Sequence, residues 1–240
     1  MHKFNTFSSK EMLSKGLAND LCEYISLVLK EKHFFTLVLS GGSTPVGVYK
    51  YIRKNLINKI DWKRVLVFWL DERAVSFESK HSNFGSAYRE LFVEVKNVNL
   101  FPIKGFLGSK KASIAYENEL RSIDTFQDTE APQFDYILMG LGSDGHVASL
   151  FHDAYKFNDR FVVSTIRPDG MDRISMTPML INSAKRIALL LSGEDKAKVY
   201  SSYVNQKIEG KGINLITSEM YLYMDKDASY ELHRSGYFFN

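Results

Sequence analysis

Short, nearly uninterrupted apolar runs recur along the chain and are separated by longer stretches in which polar and apolar residues mix. The runs read FFTLVL, VLVFWL, YILMGL, FVVSTI, IALLLS and MYLYM. Runs of this kind are typical of strands that are covered on both faces, and the mixed stretches between them are long enough to form helices. The alternation therefore predicts an α/β fold: a mostly parallel, doubly wound sheet with helices on both faces.

The first part of the chain carries a helix signal. Ser8 and Glu11 have the spacing of a capping box, which predicts a helix start at this point. Apolar residues then follow at helical intervals, at Leu13, Leu17, Leu21, Ile25 and Val28. No linker rich in Pro, Gly or Ser and no internal repeat divides the sequence, so we expect residues 1–240 to form a single domain.

Composition and charge narrow the function classes. Lys and Arg number 31 against 28 Asp and Glu, a net charge of +3, and no block of like charges predicts a nucleic acid or an anionic membrane as partner. The single cysteine, Cys22, excludes an internal disulfide framework. No apolar run approaches the roughly 18 residues of a membrane span, and the first residues lack a secretion signal's apolar core, so we expect a cytoplasmic protein.

In a parallel sheet, ligands collect at the carboxyl ends of the strands, so the loops there are the candidate sites. The segment LSGGSTP follows the first apolar run, and we expect Ser43 or Thr44 to cap a helix with Pro45 at its first position. Gly41 and Gly42 leave backbone N–H groups accessible beside the helix N-terminus, which favours a phosphate site. The alternative is an ordinary tight turn between a strand and a helix.

Charged residues end two other predicted strands. Asp71, Glu72 and Arg73 close an apolar run, and a guanidinium group there suits bidentate binding of a phosphate or a carboxylate. The alternative is that these three charged residues only mark the point where a buried strand reaches the solvent. Asn83 is expected to cap the next helix. Lys196 lies one turn into a helix that follows the run IALLLS, where it is either a phosphate ligand or solvated surface.

Gly140, Gly142 and Gly145 form a G-x-G-x-x-G pattern directly after the run YILMGL. A dinucleotide site would need an acidic residue about 20 positions further on, and Asp169 lies 24 positions after Gly145 (169 minus 145). Only 95 residues (240 minus 145) follow, however, and the strands before this loop would then have no role.

Two residues of the same loop favour a different chemistry. Asp144 and His146 flank the last glycine, which a pyrophosphate-binding turn does not require. At a helix start, a carboxylate two residues from an imidazole can fix its tautomer and leave the other ring nitrogen free as a base. The alternative is a histidine that caps a helix beside a turn aspartate.

These loops, in this order, resemble the 6-phosphogluconolactonase family over nearly the whole chain. The resemblance is carried by LSGGSTP at 39–45, DER at 71–73, SN at 82–83, GLGSDGHVASLF at 140–151, RISMT at 173–177 and SGEDKA at 192–197. It implies a three-layer, Rossmann-type fold of the NagB/RpiA-like kind and a sugar-6-phosphate site instead of a dinucleotide site. Glucosamine-6-phosphate deaminases share the first loop and the D-G-H core, but they usually have Tyr where this chain has Arg73 and a Glu that VASLFHDA lacks.

The resemblance implies hydrolysis of 6-phospho-D-glucono-1,5-lactone to 6-phosphogluconate in the oxidative branch of the pentose phosphate pathway, without metal or cofactor. His146 is then the general base and Asp144 its orienting carboxylate, while His152 is expected to be dispensable. The phosphate and oxyanion environment is assigned to Gly41, Gly42, Ser43, Thr44, Arg73 and Lys196, with Arg173 as a further phosphate candidate. Two alternatives remain open: a deaminase or isomerase acting on an amino-sugar phosphate, and a non-catalytic sugar-phosphate sensor.

Overall fold

The computed structural model describes residues 2–126, 131–151, 157, 159–167, 170–205 and 212–236. His152 and Asp169 lie outside these ranges. The strands are β1 (Lys3–Phe7), β2 (Phe35–Leu39), β3 (Val65–Trp69), β4 (Asp71–Arg73), β5 (Asn99–Phe101), β6 (Tyr136–Gly140), β7 (Val162–Ile166), β8 (Asp172–Met176), β9 (Ile187–Leu191) and β10 (Met220–Asp225). The helices are α1 (Lys10–Val28), α2 (Ser43–Asn55), α3 (Asn83–Ala87), α4 (Ser109–Arg121), α5 (Pro178–Ser183), α6 (Glu194–Val204) and α7 (Lys226–Arg234).

Seven strands form one parallel sheet in the order β1-β10-β9-β6-β2-β3-β5. The connection from β2 through α2 to β3 runs one way along the sheet, and that from β9 through α6 to β10 runs the other way. Because such connections are right-handed, α2 and α6 lie on opposite faces. Helix α1 packs on α2, and α6 packs on α7. The predicted doubly wound α/β fold is confirmed.

The central strands are held by burial on both faces. Every residue of β2, β3 and β9 is buried, and the rings of Phe68 and Trp69 in β3 are among the largest fully buried side chains. Burying one large apolar side chain contributes about 1.5–3 kcal/mol, so these strands give the loops at their ends a rigid support. Within the described ranges, no helix combines the length and apolar character needed to cross a membrane.

Three details differ from the sequence-based expectations. The run FVVSTI forms β7, which lies in a separate antiparallel sheet of order β4-β8-β7 and not in the parallel one. Strand β1 was not predicted, because its residues are at most partly buried and polar residues interrupt it. The cap of α1 is Ser9, whose hydroxyl accepts from the Met12 N–H at 3.1 Å, and not Ser8.

Candidate functional site

The direction of the chain along the sheet reverses between the neighbouring strands β2 and β6. A reversal of this kind opens a crevice at the carboxyl ends of the strands, which is where ligands bind in open α/β sheets. A cavity of about 300 Å³ lies there. Its lining comes from five separate stretches of the chain and comprises Ser40, Gly41, Gly42, Ser43, Thr44, Pro45, Asp71, Arg73, Asn83, Gly140, Leu141, Gly142, Ser143, His146, Ala148, Leu190 and Lys196.

The loop after β2 presents the N-terminus of α2 to this cavity. The helix begins at Ser43 with Gly42 as its cap, so the predicted caps Ser43 and Thr44, and Pro45 as first helical residue, are wrong. Gly42 adopts a φ of 108°, a conformation that favours glycine because it has no Cβ. No side chain caps the helix, so its first N–H groups and its partial positive charge are available to an anion in the cavity.

The His146 ring is hydrogen-bonded to the Asp144 carboxylate through Nδ1. The Asp144 Oδ1 atom also accepts from the His146 backbone N–H at 3.3 Å. Burial on its own raises the pKa of Asp144, but the hydrogen bond from the His146 ring, the charge of that ring and the backbone N–H together hold this pKa below its usual range. Asp144 is therefore ionised at neutral pH, and His146 Nε2 is the ring nitrogen left for a substrate.

A tight turn instead of a helix holds this pair, which corrects the expected helix start. The Gly142 N–H donates to the His146 carbonyl oxygen at 2.8 Å, and Val147 and Leu150 form an isolated bridge directly afterwards. A Cβ at Gly142 would lie only 2.1 Å from His146 Nδ1. Glycine at this position thus allows the imidazole to approach the loop closely. The His146 ring also packs on Phe151, with their centroids 4.9 Å apart.

Arg73 lines the cavity at the end of β4, and its guanidinium group donates to the His81 carbonyl oxygen at 2.7 Å and to Asn83 Oδ1. Asn83 is not the helix cap that we expected. Ser82 caps α3 by accepting from the Gly85 N–H at 2.9 Å, and Asn83 lines the cavity instead. The Ser82-Asn83 dipeptide indicated that this loop belongs to the site, but the sequence separation between Asn83 and Arg73 does not reveal their contact.

A buried carboxylate fixes the loop that carries Asn83. Glu72 is 1% exposed and accepts from the backbone N–H groups of Arg73, Asn83 and Phe84 and from the Ser82 hydroxyl. Burial raises the pKa of Glu72, and these hydrogen bonds oppose the shift. Of the three consecutive charged residues, Glu72 therefore turns into the protein, while Asp71 and Arg73 line the cavity.

Lys196 reaches the cavity from the first turn of α6 and is half-buried. Burial lowers the pKa of its ammonium group, and the negative charges of Asp144 and Asp195 oppose that shift. Arg173 is placed differently from the other predicted ligands: it is buried in β8, paired in register with Arg73 of β4, and is not among the described residues that line the cavity. Its role as a phosphate ligand stays a prediction.

The described ranges contain no group of three or more His, Cys, Asp or Glu side chains that could hold a metal ion. The cavity is instead rich in donors: backbone N–H groups of the loop after β2, the hydroxyls of Ser43 and Thr44, the Arg73 guanidinium and the Lys196 ammonium. Such a set suits an anionic, oxygen-rich ligand. The imidazole of His146 adds a group that can accept a proton.

Comparison with protein families gives a match over residues 8–217 to the family described as glucosamine-6-phosphate isomerases/6-phosphogluconolactonase. The chain belongs to this family. Among members of the glucosamine-6-phosphate isomerase/6-phosphogluconolactonase family, a probable 6-phosphogluconolactonase 1 from Oryza sativa subsp. japonica is 33% identical over 86% of this chain and 75% of its own length. A probable 6-phosphogluconolactonase 1 from Arabidopsis thaliana is 31% identical over 93% of this chain and 91% of its own length.

A solved structure of the family agrees with the fold. The 6-phosphogluconolactonase from Trypanosoma cruzi superposes with a TM-score of 0.86 over 97% of each chain, at 24% sequence identity. This likeness bears on the fold alone. The catalytic and binding roles of His146, Asp144, Arg73, Lys196 and the loop after β2 stay predictions at this point.

Proposed function

We propose that this chain hydrolyses 6-phospho-D-glucono-1,5-lactone to 6-phosphogluconate, a step of the oxidative branch of the pentose phosphate pathway. The observation that carries the proposal is the His146–Asp144 pair, which adjoins a cavity whose other side is the uncapped N-terminus of α2. The family's members include 6-phosphogluconolactonases, and two relatives that match most of the chain are named probable 6-phosphogluconolactonases. The base suits the lactone carbonyl of this substrate, and the anion site in the same cavity suits its phosphate.

Hydrolysis of a lactone needs a base that takes a proton from the attacking water. His146 Nε2 performs this step, because Nδ1 is engaged by the Asp144 carboxylate. As the water oxygen bonds to the carbonyl carbon, its proton passes to Nε2 and the carbonyl oxygen becomes an oxyanion. The ionised Asp144 stabilises the imidazolium that forms. Collapse of the intermediate breaks the ring C–O bond, and the imidazolium gives its proton to the leaving ring oxygen, which becomes a hydroxyl.

Two anionic groups have to be accommodated, the phosphate and the developing oxyanion. The N–H groups of Gly41 and Gly42, the hydroxyls of Ser43 and Thr44, and the ammonium of Lys196 form the phosphate environment. Arg73 serves either the phosphate or the carbonyl oxygen. A hydrogen bond between a charged donor and phosphate contributes about 1.5–3 kcal/mol, so two or three such contacts account for preference for the phosphorylated lactone.

The deaminase alternative makes a different prediction. A glucosamine-6-phosphate deaminase would release ammonia from glucosamine 6-phosphate, whereas a lactonase would not. Deaminases usually have Tyr where Arg73 lines this cavity, which favours the lactone. A non-catalytic sensor would bind the sugar phosphate without turnover.

A coupled assay with freshly generated 6-phosphogluconolactone, corrected for spontaneous ring opening, tests the proposal. Product is detected as reduction of NADP by added 6-phosphogluconate dehydrogenase. We expect a rate above background that is proportional to the concentration of the chain. Ammonia release from glucosamine 6-phosphate, or binding of 6-phosphogluconate with no rate above background, would contradict the proposal and favour the deaminase or the sensor.

A further inference from the structure

Asn83 makes hydrogen bonds on both sides of its amide group while being only 2% exposed. Its Nδ2 atom donates to the Asp71 carbonyl oxygen at 2.8 Å and to Asp71 Oδ1 at 3.1 Å. Both of these atoms are acceptors, so the NH₂ group has to face them. The Oδ1 atom of Asn83 therefore faces the opposite way, where it accepts from the Arg73 guanidinium. Asp71 thus orients the Asn83 amide so that its oxygen, and not its NH₂ group, faces Arg73.

Parts of the cavity wall that are distant in sequence meet at this amide. Gly41, in the loop after β2, approaches it so closely that a Cβ there would lie 1.8 Å from Asn83 Oδ1. Asp71 in turn accepts from the Ser149 hydroxyl at 2.6 Å, and Ser149 lies three residues after His146. The amide therefore connects Arg73 with the phosphate-binding loop and, through Asp71, with the loop of the proposed base.

We infer that Asn83 is a positioning residue that holds the Arg73 guanidinium in the orientation in which it binds the phosphate or the carbonyl oxygen of the substrate. This inference rests on the proposed function and adds Asn83 to it, a residue that acts through Arg73. The backbone carbonyl of His81 is a second acceptor for the same Arg73 nitrogen. It belongs to an exposed residue, so the buried Asn83 amide is the contact with a fixed direction.

A double-mutant cycle with Arg73→Ala and Asn83→Ala tests whether Asn83 acts through Arg73. Asn83→Ala should lower kcat/KM for the phosphorylated lactone by roughly tenfold to a hundredfold, the range for a lost hydrogen bond to a charged group. It should change the same parameter, kcat or KM, that Arg73→Ala changes. In the Arg73→Ala background it should have almost no further effect. Losses that multiply in the double variant, or an Asn83→Ala variant with the kinetics of the wild type, would overturn the inference.

A second variant separates positioning from packing. Asn83→Asp keeps the size of the side chain but replaces the NH₂ donor by an oxygen that faces the Asp71 carboxylate, so it should show the same kinetic change as Asn83→Ala. The matched control is Asn118→Asp on the exposed face of α4, which should behave as the wild type. Thermal unfolding of each variant reports whether it is folded. If both Asn83 variants are unfolded, the residue holds the fold and the inference is wrong.

Binding of 6-phosphogluconate, measured by calorimetry, separates this inference from the proposed function. The product carries a phosphate and a carboxylate, so Arg73 contacts it whichever end Arg73 serves. Asn83→Ala and Arg73→Ala should weaken this binding by similar factors even in the absence of any turnover. Turnover by the wild-type chain, by contrast, decides the proposed function. Wild-type affinity in Asn83→Ala, together with weakened binding in Arg73→Ala, would overturn the inference and leave the proposed function intact.

Discussion

Replacing Gly142 by Ala moves the proposed base without removing it. A Cβ on Gly142 would lie 2.1 Å from His146 Nδ1, 2.2 Å from its Cε1 and 2.6 Å from Asp144 Oδ1. Non-bonded heavy atoms approach to roughly 3.5 Å, so the imidazole has to retreat by about 1.4 Å. Gly142 is not among the residues with positive φ, so alanine is compatible with its backbone conformation and the strain falls on the ring.

The expected loss follows from this displacement. A shift of about 1 Å in a catalytic group can cost roughly a hundredfold in rate, so we expect Gly142→Ala to lower kcat by about a hundredfold or more. KM should change little, because the phosphate loop and Lys196 are untouched. The comparison variant is Gly140→Ala, whose Cβ would have no atom within 4 Å, so any effect there should fall on KM.

Steady-state kinetics of both variants, with spontaneous lactone opening subtracted, provide the test. Circular dichroism and thermal unfolding show whether each variant is folded. If folded Gly142→Ala keeps kcat within about threefold of the wild type, a 1.4 Å displacement has no consequence, and His146 is not the base in the position described here.

Three further outcomes are expected. Lys196→Ala should raise KM for the phosphorylated lactone by a factor that corresponds to about 1.5–3 kcal/mol. The same variant should hydrolyse unphosphorylated gluconolactone as the wild type does. Equal losses on both substrates would contradict a contact between Lys196 and the phosphate. Asp144→Asn should move the alkaline limb of the kcat/KM profile to lower pH. The Asp144 charge raises the pKa of Lys196, so its removal lets the ammonium lose its proton at a lower pH. An alkaline limb that stays in place would refute this coupling. Hydrolysis should be unaffected by dialysis against a chelator, and activity lost there and restored by a divalent ion would refute the metal-free mechanism.

Much of the fold could be predicted because buried strands leave a local signature. The apolar runs at β2, β3, β6, β9 and β10 are continuous, and the structure places all five in the parallel sheet. The run of β7 is also largely apolar, but it pairs antiparallel with β8, the next strand in the chain, and β8 pairs in turn with the distant β4; periodicity does not specify partners. Among the described strands, β1 pairs with β10 alone and forms the edge of the sheet, so its sequence needs no apolar run. That residues 1–240 form one domain stays a prediction.

The candidate site was predictable where its contacts are local. Asp144 and His146 are two residues apart, so their contact follows from the sequence within one turn. The Asp71–Ser149 contact spans 78 residues and depends on how the loops meet. The same holds for Arg173: its residue type suits phosphate, but its register opposite Arg73 in an antiparallel pair buries it. Residue types thus indicate candidates, and the tertiary fold decides which of them line the cavity.

The decisive measurement is the rate of 6-phosphogluconolactone hydrolysis by the wild-type chain and by His146→Asn, determined side by side above the spontaneous reaction. We expect a wild-type rate well above background and a kcat lowered by roughly 10²- to 10⁴-fold in the variant, the usual contribution of a positioned general base. Binding of 6-phosphogluconate should be retained in His146→Asn. A folded His146→Asn variant that hydrolyses the lactone at the wild-type rate would show that His146 is not the general base.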